Sequence, residues 1–448
     1  MKTVAVHNLG CKVNSYELDV IEQELTASGY TLVPFDTVAD VYVINTCTVT
    51  NIADRKSRQM IHRARKLNPS AVVVALGCYV ETSADKVSTD ASIDIAIGNN
   101  RKKELVAILD NYFRDHSSHP LTFYDDSIKV DSREKTSYEE MKLKAAPEHT
   151  RAFIKIQDGC NQFCSYCLIP YARGRIRSRQ QADIMEEIIG LAANGVKEVV
   201  LTGIHISSYG LDRGGSELIS LLKKVHAVKG IERIRLGSLE PRIVTRENAA
   251  AFASMPKLCP HFHLSLQSGC AETLKRMNRH YSPEEYMEGV NALREVYEAP
   301  AITTDVIVGF PGESEEEFQE SMDFCRNVDF YEMHVFKYSV RKGTAAEKLG
   351  DKLTDAKKSA RSDLLIDMTC KQSKAYREYF IGREIDVLFE ECEEYDGQLY
   401  ICGYTDRYVK CALKVDSKAE GESLSGEILR CKGSAFLNDE LMMVEAVK

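Results

Sequence analysis

The chain has 448 residues, of which 44% are hydrophobic and 28% are charged, values ordinary for a globular protein of about three domains. The formal net charge of −9 excludes an overall basic field that would attract nucleic acid. No signal-peptide pattern and no membrane-length apolar run is present, so we expect a cytoplasmic protein with no membrane partner. In that reducing compartment we expect clustered members of the 14 cysteines to bind metal or act in catalysis.

Residues 1–113 alternate strand and helix patterns. Apolar runs predict strands, and amphipathic segments predict helices between them: strands at 4–7, 41–45 and 72–76, helices at 15–29 and 52–67. This βαβαβ order predicts an α/β fold with a doubly wound parallel sheet. Residues 114–150 are polar and weakly periodic, and we interpret them as a linker.

Residues 151–376 continue the alternation over a longer stretch. Six strands are predicted, at 152–157, 198–203, 233–238, 261–267, 302–310 and 333–339. Six strand–helix units favour an open, partial (β/α)6 barrel over a closed eight-fold one, with a doubly wound sheet as the alternative. Residues 377–448 instead show five short strands separated by turns, which predict a small all-β barrel or sandwich.

Three cysteines follow the first predicted barrel strand with the spacing C-x3-C-x2-C: Cys160, Cys164 and Cys167. A structural zinc site would need a second cysteine or histidine pair nearby, and none follows. A [4Fe–4S] cluster usually takes four thiolates, so three leave one iron open for chemistry. With Tyr166 before the last cysteine, the loop resembles the radical S-adenosylmethionine (SAM) signature. That resemblance implies that SAM chelates the open iron and is cleaved to a 5′-deoxyadenosyl radical.

A second trio is scattered along the chain, but each member closely follows an N-terminal strand: Cys11, Cys47 and Cys78. Residues just past the carboxyl ends of parallel strands converge on one crevice, so we expect these thiols to gather. Gly10 and Gly77 precede two of them and would let the backbone approach a bulky ligand. A second [4Fe–4S] cluster with three protein ligands is the resulting hypothesis. The other eight cysteines are expected to be buried small hydrophobes.

The three predicted regions and their motifs together resemble the radical SAM methylthiotransferase family. The matching motifs are LGCKVNSYE (9–17), NTCTV (45–49), GCYV (77–80), KIQDGCNQFCSYCLIPYARGRIRSR (155–179), SLQSGC (265–270) and TDVIVGFPGE (304–313). The C-terminal region resembles that family's TRAM domain, an RNA- or substrate-binding barrel. The resemblance implies insertion of a methylthio group into an unactivated C–H bond. One SAM would methylate a sulfur at the second cluster, and another would provide the radical.

Finer features resemble the subgroup that acts on N6-threonylcarbamoyladenosine at position 37 of tRNA. The alternatives are N6-isopentenyladenosine at the same position and ribosomal protein S12. A non-enzymatic alternative is an iron–sulfur electron carrier or a redox-responsive RNA-binding protein. The enzyme interpretation implies three partners: a tRNA anticodon stem-loop, an electron donor such as flavodoxin or ferredoxin, and a sulfur source.

Local basic groups are candidates for contacting RNA phosphates. They are the run at 55–66, the alternating Arg173, Arg175, Arg177 and Arg179, and the pair Arg407 and Lys410. Tyr400, Tyr404 and Tyr408 are candidates for stacking on bases. Against this interpretation, residues 377–448 carry 9 Lys and Arg and 16 Asp and Glu, which would suit a basic protein substrate better.

Residues at the ends of barrel strands are candidate SAM contacts. In addition to Tyr166 they are Gly203, Ser238, Glu240, Gln267, Gly309 and Pro311. His205 and His263 also lie near strand ends, and neither is assigned a role. No catalytic residue is assigned beyond the six cysteines.

Overall fold

A computed structural model of the chain describes residues 2–115, 121–124, 136–147, 150–350 and 353–447. Part of the expected linker at 114–150 therefore lies outside the described residues. Among the described helices, none combines the length and the apolar character needed to cross a membrane.

The N-terminal elements form one parallel sheet flanked by helices, as predicted. The strands are β1 Thr3–Asn8, β2 Thr31–Leu32, β3 Val41–Thr46, β4 Val72–Gly77, β5 Ile95–Ile97 and β6 Leu121–Phe123. The helices are α1 Lys12–Ala27, α2 Asn51–Leu67, α3 Cys78–Thr82, α4 Ala84–Val87 and α5 Leu105–Asp115. The spatial order β2-β1-β3-β4-β5-β6 places the three predicted strands side by side. Strands β2, β5 and β6 were not predicted, because two or three residues carry too little periodicity.

The central elements form the predicted partial barrel. Its strands are β7 Arg151–Asp158, β8 Arg177–Ser178, β9 Glu198–Gly203, β10 Arg233–Leu236, β11 His261–His263, β12 Ala301–Val308 and β13 Glu332–Lys337. Its helices are α6 Ile169–Arg173, α7 Gln181–Ala193, α8 Leu218–His226, α9 Arg246–Ala253, α10 Ala271–Arg276, α11 Pro283–Val296, α12 Glu315–Val328 and α13 Asp355–Glu378. The six predicted strands are parallel and adjacent in chain order, and the bridge between Leu239 and Leu264 joins the two half-sheets.

The N-terminal sheet packs against the open side of the barrel, between its first and last strands. Helix α1 contacts β7. The Tyr16 hydroxyl of α1 also donates to Glu187 on α7 at 3.0 Å. At the other edge Arg341, after β13, pairs with Asp54 on α2 at 2.9 Å. The residues after β1, β3 and β4 therefore face the barrel mouth.

A C-terminal closed barrel packs under the N-terminal ends of the central strands. It contains β14 Glu384–Tyr395, β15 Gln398–Thr405, β16 Lys410–Lys414, β17 Ile428–Phe436, β18 Met442–Ala446 and the helix α14 Lys418–Leu424. Arg233 donates to the Tyr404 carbonyl at 2.9 Å, and Arg235 donates to the Asp406 carbonyl at 2.9 Å. The barrel prediction is confirmed, together with the α/β fold class of the rest.

Two of the tyrosines predicted to stack on RNA serve this domain contact instead. The Tyr408 ring stacks on His261 with centroids 5.1 Å apart, and on Tyr404 at 4.6 Å. The Arg151 guanidinium lies over both tyrosine rings, and Tyr400 is buried. These three rings are committed to packing within the protein.

The described residues 136–147 form more than a linker. Met141 and Leu143 are buried, and the Leu143 N–H donates to Glu187 on α7 at 2.6 Å. The Met141 carbonyl accepts from Tyr16 on α1 at 2.5 Å. This segment therefore joins the N-terminal sheet to the barrel.

Candidate active site

The loop after β7 gathers Cys160, Cys164 and Cys167, all free thiols. The Cys160 sulfur accepts from the Gln162 N–H and the Cys167 sulfur from the Ile169 N–H, each at 3.4 Å. Burial raises the pKa of Cys160 to about 11 and that of Cys167 to about 12, and the neighbouring thiols add repulsion. A bound metal offsets the free-energy cost of ionising these buried thiols, because a coordinating thiol is deprotonated. Three converging thiols with backbone N–H donors fit an iron–sulfur cluster.

The second trio also gathers, as the strand-end argument predicts. Cys11 precedes α1, Cys47 follows β3, and Cys78 begins α3. Burial raises the pKa of Cys47 to about 12, and repulsion from the neighbouring Cys78 and Cys11 sulfurs contributes to this rise. The three sulfurs are therefore close enough to interact, and three thiols again leave one iron of a cluster without a protein ligand.

The glycines beside this trio lie close to side chains of the protein itself. A Cβ on Gly77, whose φ is 100°, would lie 2.8 Å from Asn45 Oδ1. A Cβ on Gly10 would lie 2.8 Å from Asn14 Nδ2. Both glycines make room for buried asparagines of the protein itself.

A buried group of charges lies between the two trios, and we call it the Glu17 charge cluster: Glu17, Lys102, Lys155, Asp158 and Arg173. Arg173 Nη1 is 2.9 Å from Glu17 and 3.1 Å from Asp158. Lys155 bridges the same two carboxylates at 2.8 and 2.7 Å, and Lys102 also pairs with Glu17. Burial alone would raise the pKa of Glu17, but Arg173, Lys102 and Lys155 hold it well below its ordinary value. Arg173 Nε also donates to the Cys78 sulfur at 3.3 Å, so this cluster joins the second trio to the strand that leads into the first.

The structure contradicts an RNA role for three of the four alternating arginines. Arg173, Arg177 and Arg179 are 1%, 4% and 0% exposed. Arg177 donates to the Arg173 carbonyl at 2.8 Å, and Arg179 pairs with the buried Glu187. A phosphate cannot reach these guanidinium groups, whereas Arg175 is exposed.

The C-terminal basic pair is also engaged within the protein. Arg407 donates to the carbonyls of Glu298 and Ala299 at 3.0 Å, and Lys410 pairs with Glu393 at 2.8 Å. By contrast, α2 presents Arg55, Lys56 and Lys66 to solvent. The basic run at 55–66 is thus the better candidate for RNA phosphates.

A cavity of about 740 Å³ lies close to both trios, although none of the six cysteines lines it. Val49 and Thr50, just after Cys47, line one side, and Tyr166, just before Cys167, lines another. The rest of its lining comes mainly from β12, β13 and the segment after β13, including Asp305, Ile307, Phe336 and Lys337. This volume suits a nucleoside or a cofactor of similar size.

The candidate SAM contacts divide by position. Tyr166 and Gln267 line the cavity, and Gln267 has a left-handed φ of 67°, a strained conformation that is common at functional sites. Gly203 ends β9, and Ser238 and Glu240 follow β10. None of the three lines the cavity. Gly309 and Pro311 form a turn that packs toward α13, where a Cβ on Gly309 would lie 2.6 Å from Lys358 Cγ. Loop packing is therefore sufficient to explain these last two.

Sequence reasoning missed Arg279. Its Nη1 donates to the Cys164 sulfur at 3.3 Å and its Nη2 to the Ser265 carbonyl at 3.2 Å. Such a charged donor to a cluster sulfur tunes the reduction potential. The only signal was the position of Arg279 shortly after the SLQSGC motif.

The remaining cysteines mostly match their expected packing role. Six are buried: Cys259, Cys270, Cys325, Cys402, Cys411 and Cys431. Cys370 on α13 is exposed and Cys392 is half-buried, so the expectation is wrong for Cys370.

Comparison with known proteins extends this geometry. Residues 154–325 match the Radical SAM superfamily, and residues 3–98 match Uncharacterized protein family UPF0004. The chain is 38% identical to threonylcarbamoyladenosine tRNA methylthiotransferase MtaB of Bacillus subtilis (strain 168), over 96% of this chain and 94% of that protein. It is 33% identical to tRNA-2-methylthio-N(6)-dimethylallyladenosine synthase of Opitutus terrae, over 99% of this chain and 98% of that protein.

A solved structure shares the fold at low sequence identity. It is the radical S-adenosylmethionine methyltransferase TsrM from Kitasatospora setae, with a TM-score of 0.56 and 16% identity, covering 75% of this chain and 73% of that one. The two cysteine trios, the partial barrel and the full-length similarity agree. The chain belongs to the radical SAM methylthiotransferase family, enzymes that transfer methylthio groups.

Proposed function

We propose that this protein converts N6-threonylcarbamoyladenosine at position 37 of tRNA to its 2-methylthio form. The observation that carries the proposal is the 38% identity to a Bacillus subtilis enzyme named for that nucleoside, which extends over 96% of this chain. The acidic C-terminal region, which suits a basic protein substrate, packs under the N-terminal ends of the central strands. We take the basic helix α2, which reaches the cavity, as the RNA-facing surface.

The six cysteines would hold two [4Fe–4S] clusters, one on each trio, with SAM at the open iron. A cluster held by Cys160, Cys164 and Cys167 would supply one-electron chemistry to SAM, and one held by Cys11, Cys47 and Cys78 would hold the sulfur. Around them, Arg279 donates to Cys164 and Arg173 donates to Cys78. These guanidinium groups offset the negative charge of the thiolates.

Lys337 is our candidate for recognising the threonyl carboxylate of the substrate. It lines the cavity, and its Nζ donates to the neutral Ser359 hydroxyl at 3.1 Å. A carboxylate entering the cavity would form a charge-assisted hydrogen bond with this ammonium group. An isopentenyl group has no charge and would form no such hydrogen bond with Lys337.

We assign phosphate contacts to the exposed cations of α2. Thr50 caps this helix at the cavity, its side chain accepting from the Ala53 N–H at 3.1 Å. Arg55 and Lys56 therefore lie within the first turns beyond the cavity rim. A cytoplasmic reductant such as flavodoxin or ferredoxin and a separate sulfur source complete the proposal.

Nucleoside mass spectrometry of tRNA tests the substrate. Deleting the gene should abolish 2-methylthio-threonylcarbamoyladenosine, and the wild-type gene should restore it. Lys337→Ala should restore about tenfold less, since one charge-assisted hydrogen bond contributes about 1.5 kcal/mol or more. Lys357→Ala is the matched control, because Lys357 is half exposed and paired with Glu315 at 3.3 Å; it should restore fully.

Two results would overturn the substrate assignment. Unchanged 2-methylthio-threonylcarbamoyladenosine in the deletion strain would contradict it directly. Loss of the isopentenyl derivative alone would assign the protein to the substrate named for the Opitutus terrae relative.

A further inference from the structure

Three metal-binding side chains that belong to neither cysteine trio meet on neighbouring strands of the central barrel. His263 ends β11, Asp305 lies in β12 and His334 lies in β13. The strand register places His263 opposite Thr303 and Asp305 opposite His334. One ligand atom from each side chain lies within 4.8 Å of the other two. The geometry points to a third metal site, for a divalent cation such as Zn²⁺ or Fe²⁺.

The surrounding hydrogen bonds orient His263 as a ligand. Its Nδ1 is 3.1 Å from the Thr303 hydroxyl, and its Nε2 is 3.3 Å from Asp305 Oδ2. When Nδ1 donates its proton to an oxygen outside the site, Nε2 keeps a lone pair for the metal. Thr303 can therefore accept from Nδ1 in the tautomer that leaves Nε2 free to coordinate.

His334 completes the set from the opposite side of Asp305. Its ring stacks on that of His263 with centroids 5.8 Å apart and 25° between planes. Its Nδ1 lies 4.0 Å from a Glu332 carboxylate oxygen, beyond hydrogen-bond range. Either ring nitrogen of His334 can therefore serve as the ligand atom.

The donor set determines which ions fit. Two imidazoles and one carboxylate suit zinc or ferrous iron and leave at least one coordination position open. An ion can enter from solvent, because the His334 side chain is 49% exposed and that of Asp305 is 30% exposed. Asp305 also lines the cavity of about 740 Å³ described above. The open coordination position of the metal is therefore available to an oxygen ligand in that cavity.

Zinc loading of the cluster-containing protein tests this site. Protein carrying its iron–sulfur clusters is incubated anaerobically with Zn²⁺, desalted and analysed for both metals and by X-ray absorption at the zinc edge. We expect one zinc per chain with no loss of iron, and nitrogen or oxygen neighbours at about 2.0–2.1 Å. A sulfur shell near ~2.3 Å, or displaced iron, would mean that zinc took the cluster cysteines and would overturn the proposal, as would no retained zinc.

Variants locate the bound ion. His334→Gln and Asp305→Asn should each lose the stoichiometric zinc while keeping their iron. The control is His62→Gln with Asp90→Asn, which removes a surface histidine–aspartate pair 3.1 Å apart and should keep the zinc. Zinc retained in both site variants would overturn the proposal. If Asp305→Asn also loses iron through misfolding, the test rests on the zinc content of His334→Gln, because His334 is half exposed.

Discussion

Arg173 and Arg175 show how burial decides the role of a residue type. Their alternate positions from 173 to 179 made all four arginines candidates for contacting RNA phosphates. The chain instead ends α6 at Arg173 and begins β8 at Arg177, so the four do not share a face. The burial of Arg173 is possible because its guanidinium pairs with the carboxylate of Glu17, which lies 156 residues earlier. No local pattern contains that pairing, whereas the cysteine positions follow directly from motif and strand order.

Separate cysteine trios predict separable iron contents. Replacing Cys160, Cys164 and Cys167 together by Ala should remove one cluster and leave the other, so that iron per chain falls by about half after reconstitution. Replacing Cys11, Cys47 and Cys78 together by Ala should likewise lower the iron content per chain by about half. Iron analysis with absorption spectroscopy measures both. A variant without any iron would show that the two sites do not assemble independently.

At the scale of elements, segments with a clear apolar pattern were predictable and those without one were not. Strands β1, β3 and β4 and the six predicted barrel strands all appear in the predicted order, including the three-residue β11, which lies within a longer predicted run. The three-residue strands β5 and β6 and the segment 136–147 depend on neighbours far along the chain. The expected domain boundaries at 113, 150 and 376 stay predictions; α5 and α13 each extend two residues past one of them.

The segment 136–147 should contribute measurably to stability. Met141 is 3% exposed, and Met141→Ala should lower the free energy of unfolding by about 2–5 kcal/mol, because it leaves a cavity between α1 and α7. Lys144→Ala is the control, since its side chain is exposed and its effect should stay within about 0.5 kcal/mol. Urea denaturation compares the two. Equal midpoints would show that this segment only tethers the two regions.

For the whole molecule, the contact between the central and C-terminal barrels contains a buried titratable group. His261 is 7% exposed and stacks on Tyr408. Burial and the nearby cations Arg235, Lys12 and Arg151 hold the pKa of His261 well below its ordinary value. The folded protein thus excludes a proton that the unfolded chain binds below about pH 6.5.

This histidine predicts a pH-dependent difference in stability. Its contribution is complete above about pH 6.5 and is lost as pH falls, at up to about 1.4 kcal/mol per pH unit. His261→Gln should therefore lose less stability than the wild type between about pH 7 and pH 5.5. Urea denaturation of both proteins at the two pH values measures it. Identical losses would show that His261 is protonated in the folded state.

The Glu17 charge cluster has a mechanical consequence. Arg173 grips both the Cys78 sulfur and Asp158, and Asp158 precedes Cys160 by two residues. We therefore expect the distance between the two trios to vary less than the position of either one. A sulfur held at one trio and a radical formed at the other would then react across a nearly constant distance.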